Sequence, residues 1–328
     1  MTADPRAVLD AFDRFGNGPL SSLVAYDAPW QAFHLGGGGV VPYLEAPRAA
    51  VAWGDPLCPP ALAAAALSEF AQAMRDEGRG VCAIAVGEAT AREALGLGFS
   101  AFKIGEEPRF DLAAWRRPTG NRGKKLRWAV NHARAEGIEI EEYRVAEGRD
   151  PRLDADVEAV VAGWRAALGR EEPQSFMRTA PLQGAERKRL FIARRNGVAE
   201  ALLACAHLPA ANAWYLEDVV RVSTSVNGAT ELLVVEALAR FREEGAASAS
   251  FALAPMRGVD DQLDRRARVI GSVLAIAIRG FDRRYGFRAI ARYEERFEPT
   301  EWLPRYILCR PALPRPATIR AAVRYLMA

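Results

Sequence analysis

The sequence predicts an α/β (α+β) protein built from two pseudo-repeated mixed-sheet halves, and three observations predict it. The first is "WYLEDVVRVSTSVNGATELLVVEALARFREEG", residues 214–245, where an alternating aromatic and β-branched run passes through small polar residues into a helical apolar repeat. The second is "AAVAWGDPLCPPALAAAALSEFAQAMRDEG", residues 49–78, which runs in the same order: strand, Asp55, small-residue loop, helix, glycine. The third is the continuation of both. "GRGVCAIAVGEATAREALGLGFSAFKIGEE" (78–107) reads strand, helix, Gly-Phe, strand, and "ASASFALAPM" followed by a helix and "RRYGFRAIARYEERF" (283–297) keeps that order. The expected division is an N-terminal half at 1–115, a basic linker and helix at 116–145, and a C-terminal half at 146–328 that carries the site.

Each element of the C-terminal unit has a local reason. From Trp214 to Val222 the alternation is that of a strand, with Trp214, Leu216, Asp218, Val220 and Val222 on one face. An ionised carboxylate on an apolar face is costly unless paired, so Asp218 needs a partner. Arg221 points the other way in a regular strand. A β-bulge between the two would bring both to one side, and without it they serve different faces. The following "VSTSVNGAT" is a turn ending at a helix N-terminus, with Asn227 or Thr230 as cap and Glu231 favourably in the first turn. Val234, Leu238 and Phe241 form the apolar stripe, and Gly245 stops the helix. Backbone N–H groups of such a loop suit a carboxylate or phosphate.

Between the halves lies "WRRPTGNRGKKLRWAVNHARAEG", residues 115–137, a loop followed by a helix carrying Lys124, Lys125, Arg127 and Arg134. This is the densest positive cluster in the chain. Cations at a helix N-terminus oppose the dipole, which argues for a role outside folding: contact with a phosphate backbone, against the alternative of a solvated connecting helix.

Bulk properties narrow the function classes. The 328 residues carry a net charge of +3, and the pI is near 8.7, so overall charge demands neither nucleic acid nor anionic lipid. Cys58, Cys82, Cys205 and Cys309 form no C-x-x-C pair, so neither a zinc site nor a disulfide framework is indicated and a reducing cytoplasm fits. The start "MTADPRAVLDAF" lacks the basic and apolar regions of a signal peptide. The run "VIGSVLAIAI" (269–278) has about half the roughly 20 residues a spanning helix needs. The tail "PATIRAAVRYLMA" is short and amphipathic, with Arg320 and Arg324, and is expected to dock on the protein body. His34, His132 and His207 are isolated from any nucleophile motif, and "GGGG" at 36–39 reads as a hairpin turn. Glu106 and Glu107, adjacent acids at a strand end, are expected to be solvated. Trp302, Pro304 and Tyr306 are expected to pack.

Strand, acid, phosphate-type loop, helix, strand, helix, strand is the order of the GNAT acyltransferase fold, here in tandem. More specifically, "GFSAFKIGEEPRFDLAAW", "GKKLRWAVNHARAEG", "WYLEDVVR", "NGATELLVVEAL" and "YEERFEPTEWLPRY" resemble the catalytic domain of the aminoacyl-phosphatidylglycerol synthases, also called multiple peptide resistance factors. The resemblance covers nearly the whole chain. It implies a tandem GNAT-like enzyme that moves an amino acid from aminoacyl-tRNA to a hydroxyl of phosphatidylglycerol, or of a related lipid or small acceptor, at the inner membrane face. It implies no cofactor: aminoacyl-tRNA is the co-substrate, and CoA is not used. The family's acid and arginine fall on Asp218 and Arg221 as catalytic residues. Asn227, Gly228, Thr230, Glu231 and Arg296 are the expected substrate-binding set, and Lys124, Lys125 and Arg127 the expected tRNA contacts. A Lys-x-Lys-Phe segment of the family falls on "EERF", so its lysines become Glu294 and Arg296. The family's multi-helix membrane region has no counterpart before the domain, so a cytoplasmic protein, peripheral at most on anionic phospholipid, is expected.

An activated ester asks only that the acceptor be aligned, its deprotonation assisted and the oxyanion stabilised. Asp218 then holds the substrate α-ammonium or acts as base, and Arg221 holds a phosphate. Two other readings compete: a CoA-dependent GNAT N-acyltransferase, opposed by "VNGAT" standing where a Gln/Arg-x-x-Gly-x-Gly/Ala loop is needed, and a non-catalytic GNAT-like binding module.

Overall fold

A computed structural model of the chain describes residues 5–18, 30–168, 179–251, 253–263 and 287–327. Helix α1 (Pro5–Phe15) precedes the strands β1 (Gln31–His34), β2 (Val40–Ala46) and β3 (Ala49–Trp53). β1 and β2 form an antiparallel hairpin turned by the glycine run, as expected. Helix α2 (Ala63–Asp76) carries β3 to the parallel strand β4 (Gly80–Gly87), and α3 (Glu88–Gly96) leads on to β5 (Ser100–Asp111). The basic helix is α4 (Lys124–Ala135), followed by β6 (Glu139–Tyr143) and α5 (Pro151–Leu168). An antiparallel meander follows: β7 (Lys188–Arg195), β8 (Val198–Leu208) and β9 (Ala213–Arg221). Helix α6 (Ala229–Glu243) then returns to β10 (Ser248–Ser250), parallel to β9. The short β11 (Ala254–Pro255), α7 (Phe287–Glu294), β12 (Glu301–Arg310) and α8 (Pro316–Met327) complete the chain. The run at 269–278 and the helix expected after "ASASFALAPM" lie outside the described residues.

The strand, helix, parallel strand unit thus occurs twice, as β3–α2–β4 and β9–α6–β10. The division into compact units departs from the expected boundaries. One unit comprises 1–108, 253–292 and 302–328, and the other 109–252 and 293–301. The reason is strand exchange: β12 pairs antiparallel with β4 in the first unit, while the end of β5 pairs with β10 in the second.

In the first unit every residue of β3 is buried, which parallel pairing with β4 and cover on both faces require. Leu67, Phe70 and Met74 of α2 enter a core with Tyr43, Val81 and Tyr306. Each such side chain contributes about 1.5–3 kcal/mol. Helix α8 packs on β3 and β4, burying Ala321 and Ala322, and Tyr325 donates to the Glu45 carbonyl at 2.7 Å. The tail is therefore docked. Glu107 is not solvated as expected: it is 2 % exposed and accepts from Arg305 at 2.9 Å (Nε) and 2.5 Å (Nη2). Asp55 lies 3.6 Å from the same guanidinium and accepts from the Gly87 amide at 3.1 Å. Burial opposes the charge on Arg305, but the two carboxylates outweigh it and raise its pKa. Glu106 is half-buried between Lys103 and Arg257.

In the second unit one sheet face packs on α4 and α6 through Phe191, Leu203, Leu216, Leu233 and Phe241. The other packs on α5 through Val157, Val160, Leu190, Ile192, Leu202 and Val220. Buried Arg189 bonds Glu142 at 2.7 Å and Glu244 at 3.0 Å, with its guanidinium 5.3 Å from the Trp214 ring and 5.0 Å from that of Phe241. Glu141, on the same strand β6 as Glu142, accepts from Arg152 of α5 and Arg194 of β7. Burial pushes both glutamate pKa values up, and their arginine partners more than offset it, so both sit below the usual range. A depressed carboxylate stabilises the fold fully above the unfolded value, about 4.3, and loses that contribution as pH falls through the lower folded value. Melting temperature should therefore fall as pH drops below about 4.3, and Glu142→Gln should flatten that fall. Thermal melts between pH 7 and pH 3 check this, and an unchanged slope in the variant would exclude Glu142 as a source.

Candidate functional site

Strand β9 carries one residue too many for β8. Leu216 pairs with Cys205 and Asp218 with Ala204, so Glu217 is extruded as a β-bulge. The expected single face therefore breaks at Glu217. Trp214, Leu216 and Val219 belong to the α4/α6 side, and Asp218 shares the alternation of Val220, which packs on the α5 side. The bulge precedes both site residues instead of separating them. Regular pairing from Asp218 to Arg221 puts the two on opposite faces, the second of the arrangements left open by the sequence. Asp218 is half-buried; Arg221 is exposed and its Nη1 donates to the Ser225 carbonyl at 3.3 Å. Glu217 itself pairs with Lys188 at 2.5 Å, both nearly buried. Sequence reasoning missed this pair, whose one signal was a second acid beside Asp218 in "LEDVV".

The N-terminus of α6 is built from backbone. Its cap is Gly228, at φ +95°, with no side-chain cap bond, so neither Asn227 nor Thr230 caps the helix. Asn227 is exposed, and Asn-Gly supplies the left-handed conformation that ends the loop. A Cβ on Gly228 would lie 2.0 Å from the Ala129 carbonyl oxygen, so α4 presses directly on this turn. Gly228→Ala should lower stability by about 1–3 kcal/mol from the left-handed conformation alone, with the clash adding to it. A melt within a degree of wild type would show that the turn relaxes freely. Upstream, the Val226 amide donates to Glu200 Oε2 at 3.1 Å, and Glu200 also accepts from Arg195 at 2.8 Å. The loop is thereby fixed to β8.

Three of the expected substrate-binding residues meet just inside the helix. Thr230 Oγ1 donates to Glu231 Oε2 at 3.0 Å, and Arg296 Nη1 donates to Glu231 Oε1 at 2.6 Å. Tyr293, unforeseen in the sequence, stands 5.7 Å from the Arg296 guanidinium. Burial first, and then the charge of Glu231, raise its hydroxyl pKa well above the usual range. Phe297 anchors this segment in the core, and its carbonyl accepts from Trp115 Nε1 at 2.8 Å. Asp218 and Arg221 are not among the partners of this cluster in the bonds just described. The arrangement offers a carboxylate on one sheet face, an exposed guanidinium at the loop, and a buried glutamate whose arginine partner is nearly half exposed.

The basic cluster divides. Lys124 and Lys125 are exposed and, among the described residues, have no acidic partner. Arg127 instead clamps the preceding loop, donating to the Pro118 carbonyl at 3.2 Å and the Gly120 carbonyl at 2.9 Å. Arg134 pairs with Glu236. Burial, and then the nearby charges of Arg134 and Arg127, pull the Arg117 pKa down, so this end of α4 sits in a positive field. Among the described residues no group of histidine, cysteine and acidic side chains is placed to hold a metal ion.

The strand, helix, parallel-strand unit that occurs in both halves, with a bulged strand and a backbone-capped helix in the second, is that of a tandem GNAT-like acyltransferase fold. Within that class the chain belongs to the family "Phosphatidylglycerol lysyltransferase, C-terminal", whose profile matches residues 18–309. Among solved structures it is similar to the C-terminal DUF2156 domain of an Agrobacterium fabrum protein assigned as a lysylphosphatidylglycerol synthetase, at TM-score 0.78 and 19% identity over 98% of this chain and 97% of that one. It is equally similar in fold to L-PGS from Bacillus licheniformis, at TM-score 0.78 and 16% identity over 100% and 98%. A conserved Bacteroides thetaiotaomicron protein of unknown function follows at TM-score 0.65 and 14% identity over 94% and 97%. No curated protein matches the sequence. Among the described residues no helix is long and apolar enough to cross a membrane.

Proposed function

We propose that this chain transfers an amino acid from aminoacyl-tRNA to a hydroxyl of phosphatidylglycerol, or of a related lipid or small acceptor, without CoA. The observation that carries this reading is the family match across 18–309, which spans residues of both compact units. The site geometry supports it. Asp218, on the α5 side of β9, binds the α-ammonium of the aminoacyl group, and exposed Arg221 binds a phosphate of the tRNA terminus or the lipid headgroup. Glu231 and Arg296 shape the wall at the N-terminus of α6. Because the donor ester is already activated, alignment and oxyanion stabilisation supply most of the rate.

The test is direct. Purified protein is incubated with lysyl- or alanyl-tRNA carrying a labelled amino acid and with phosphatidylglycerol vesicles, and label is followed into the organic phase. Label in the lipid supports the reading, and label in a water-soluble ester moves the acceptor to a small molecule. If labelled tRNA is consumed no faster than by hydrolysis, with either acceptor class, the transferase reading fails. Acetylation of an amine by acetyl-CoA in the same preparation would replace it with the CoA-dependent reading.

A further inference from the structure

One aromatic side chain on the basic helix stands largely outside the core. Trp128 is 60% exposed, although α4 buries Leu126, Ala129, Val130 and Ala133 on its other side. Its indole lies parallel to the His132 imidazole one turn on, with centroids 5.0 Å apart and planes within 9°. The imidazole thus backs one face of the indole. Lys124 and Lys125 stand one turn before Trp128 on the same helix face, both exposed and without an acidic partner among the described residues. Arg122, in the loop that Arg127 clamps, is also exposed without such a partner. The helix that bears the indole is held firmly, because Ala129 is pressed against Gly228.

We propose that Trp128, backed by His132, is a stacking platform for an unpaired nucleotide, with Lys124 and Lys125 holding the phosphates that flank it. The proposal rests on the reading of an aminoacyl-tRNA donor and adds to it the part of the nucleic acid that α4 reads: a single-stranded segment, not the duplex alone. An aromatic face beside cations is the recurrent device for unpaired bases, since every base has a π-face and duplex bases are already stacked. A membrane-surface helix would need a contiguous apolar face outward. Here the neighbours of Trp128 at helical spacing are Lys124, Lys125, Asn131 and His132, which leaves one aromatic side chain among polar ones.

Two RNA hairpins test it, identical except that one carries a four-nucleotide single-stranded 3′ end and the other is blunt. Binding to the full chain is measured by fluorescence anisotropy across a salt series. Wild type should bind the overhang hairpin roughly ten-fold more tightly. Trp128→Ala should erase that difference and leave blunt-hairpin affinity unchanged, and Trp128→Phe should keep part of it. Lys124→Gln with Lys125→Gln should weaken both hairpins and reduce the salt slope by about 1–2. Equal wild-type affinity for the two hairpins, or equal weakening of both by Trp128→Ala, would overturn the platform while leaving a tRNA donor standing. Failure of both hairpins to bind at low salt would remove the donor reading and the platform with it. If Trp128→Ala leaves RNA binding intact and abolishes binding to phosphatidylglycerol vesicles, the face belongs to a membrane and the proposal is wrong.

Discussion

Arg305→Met is expected to destabilise the first unit by about 3–5 kcal/mol, because it strands buried Glu107 without its counter-charge. Arg305 neutralises two acids, Glu107 at 2.5 Å and Asp55 at 3.6 Å, and Asp55 in turn accepts from the Gly87 amide. Removing the cation loosens the contact between the end of β4 and the loop after β3. At a few degrees per kcal/mol, the melting temperature should drop by on the order of 10 °C. Methionine retains most of the buried stem, so the loss reports charge more than packing. Two companions isolate the cause. Glu107→Gln leaves Arg305 paired with Asp55 and should cost less. Arg305→Met with Glu107→Leu removes both charges from the buried site and should recover most of the loss, since a buried pair is worth little against apolar residues of similar size. A single variant melting within about 2 °C of wild type would mean that water reaches Glu107 and screens it.

The cluster also shows where sequence reasoning stops. Glu106 and Glu107 read as solvated because adjacent acids at a strand end usually are. The partner that buries Glu107 lies 198 residues away, on a strand that the second repeat contributes to the first unit. The same exchange sets the compact units apart from chain order, since the sequence alone cannot reveal that β12 pairs with β4. Local signals fared better. Apolar spacing and the bounding glycines located α4 and α6, and the glycine run located the first hairpin. At the site, a bulge could be anticipated near Asp218, but its position at Glu217 depends on the register against β8, and register is a property of two strands. Asn227 and Gly228 were rightly taken as the turn. The cap expected at Asn227 or Thr230 is instead Gly228, where a Cβ would meet the Ala129 carbonyl, again a non-local fact.

Asp218→Asn and Arg221→Lys are expected to reduce aminoacyl transfer independently. Asp218→Asn keeps the shape and removes the charge that would hold an α-ammonium, and a charge-assisted bond in a half-buried place is worth about 1.5–3 kcal/mol. That corresponds to a loss of roughly 10²-fold in kcat/KM. Arg221→Lys keeps the charge and loses the fork that grips a phosphate with two N–H groups, so KM for the phosphate-bearing substrate should rise about ten-fold with little change in kcat. Because regular pairing from Asp218 to Arg221 leaves the two side chains on opposite faces of β9, their effects should multiply to roughly 10³ in the double variant. A double variant no worse than Asp218→Asn would mean that the two act on one group, and the register derived for β9 would have to change when substrate binds. Melting temperatures separate chemistry from architecture: all three variants should melt within about 2 °C of wild type if the side chains serve substrate. If Asp218→Asn instead loses stability in step with activity, the carboxylate braces the bulge beside Glu217 and Lys188, and the ammonium contact must be sought elsewhere.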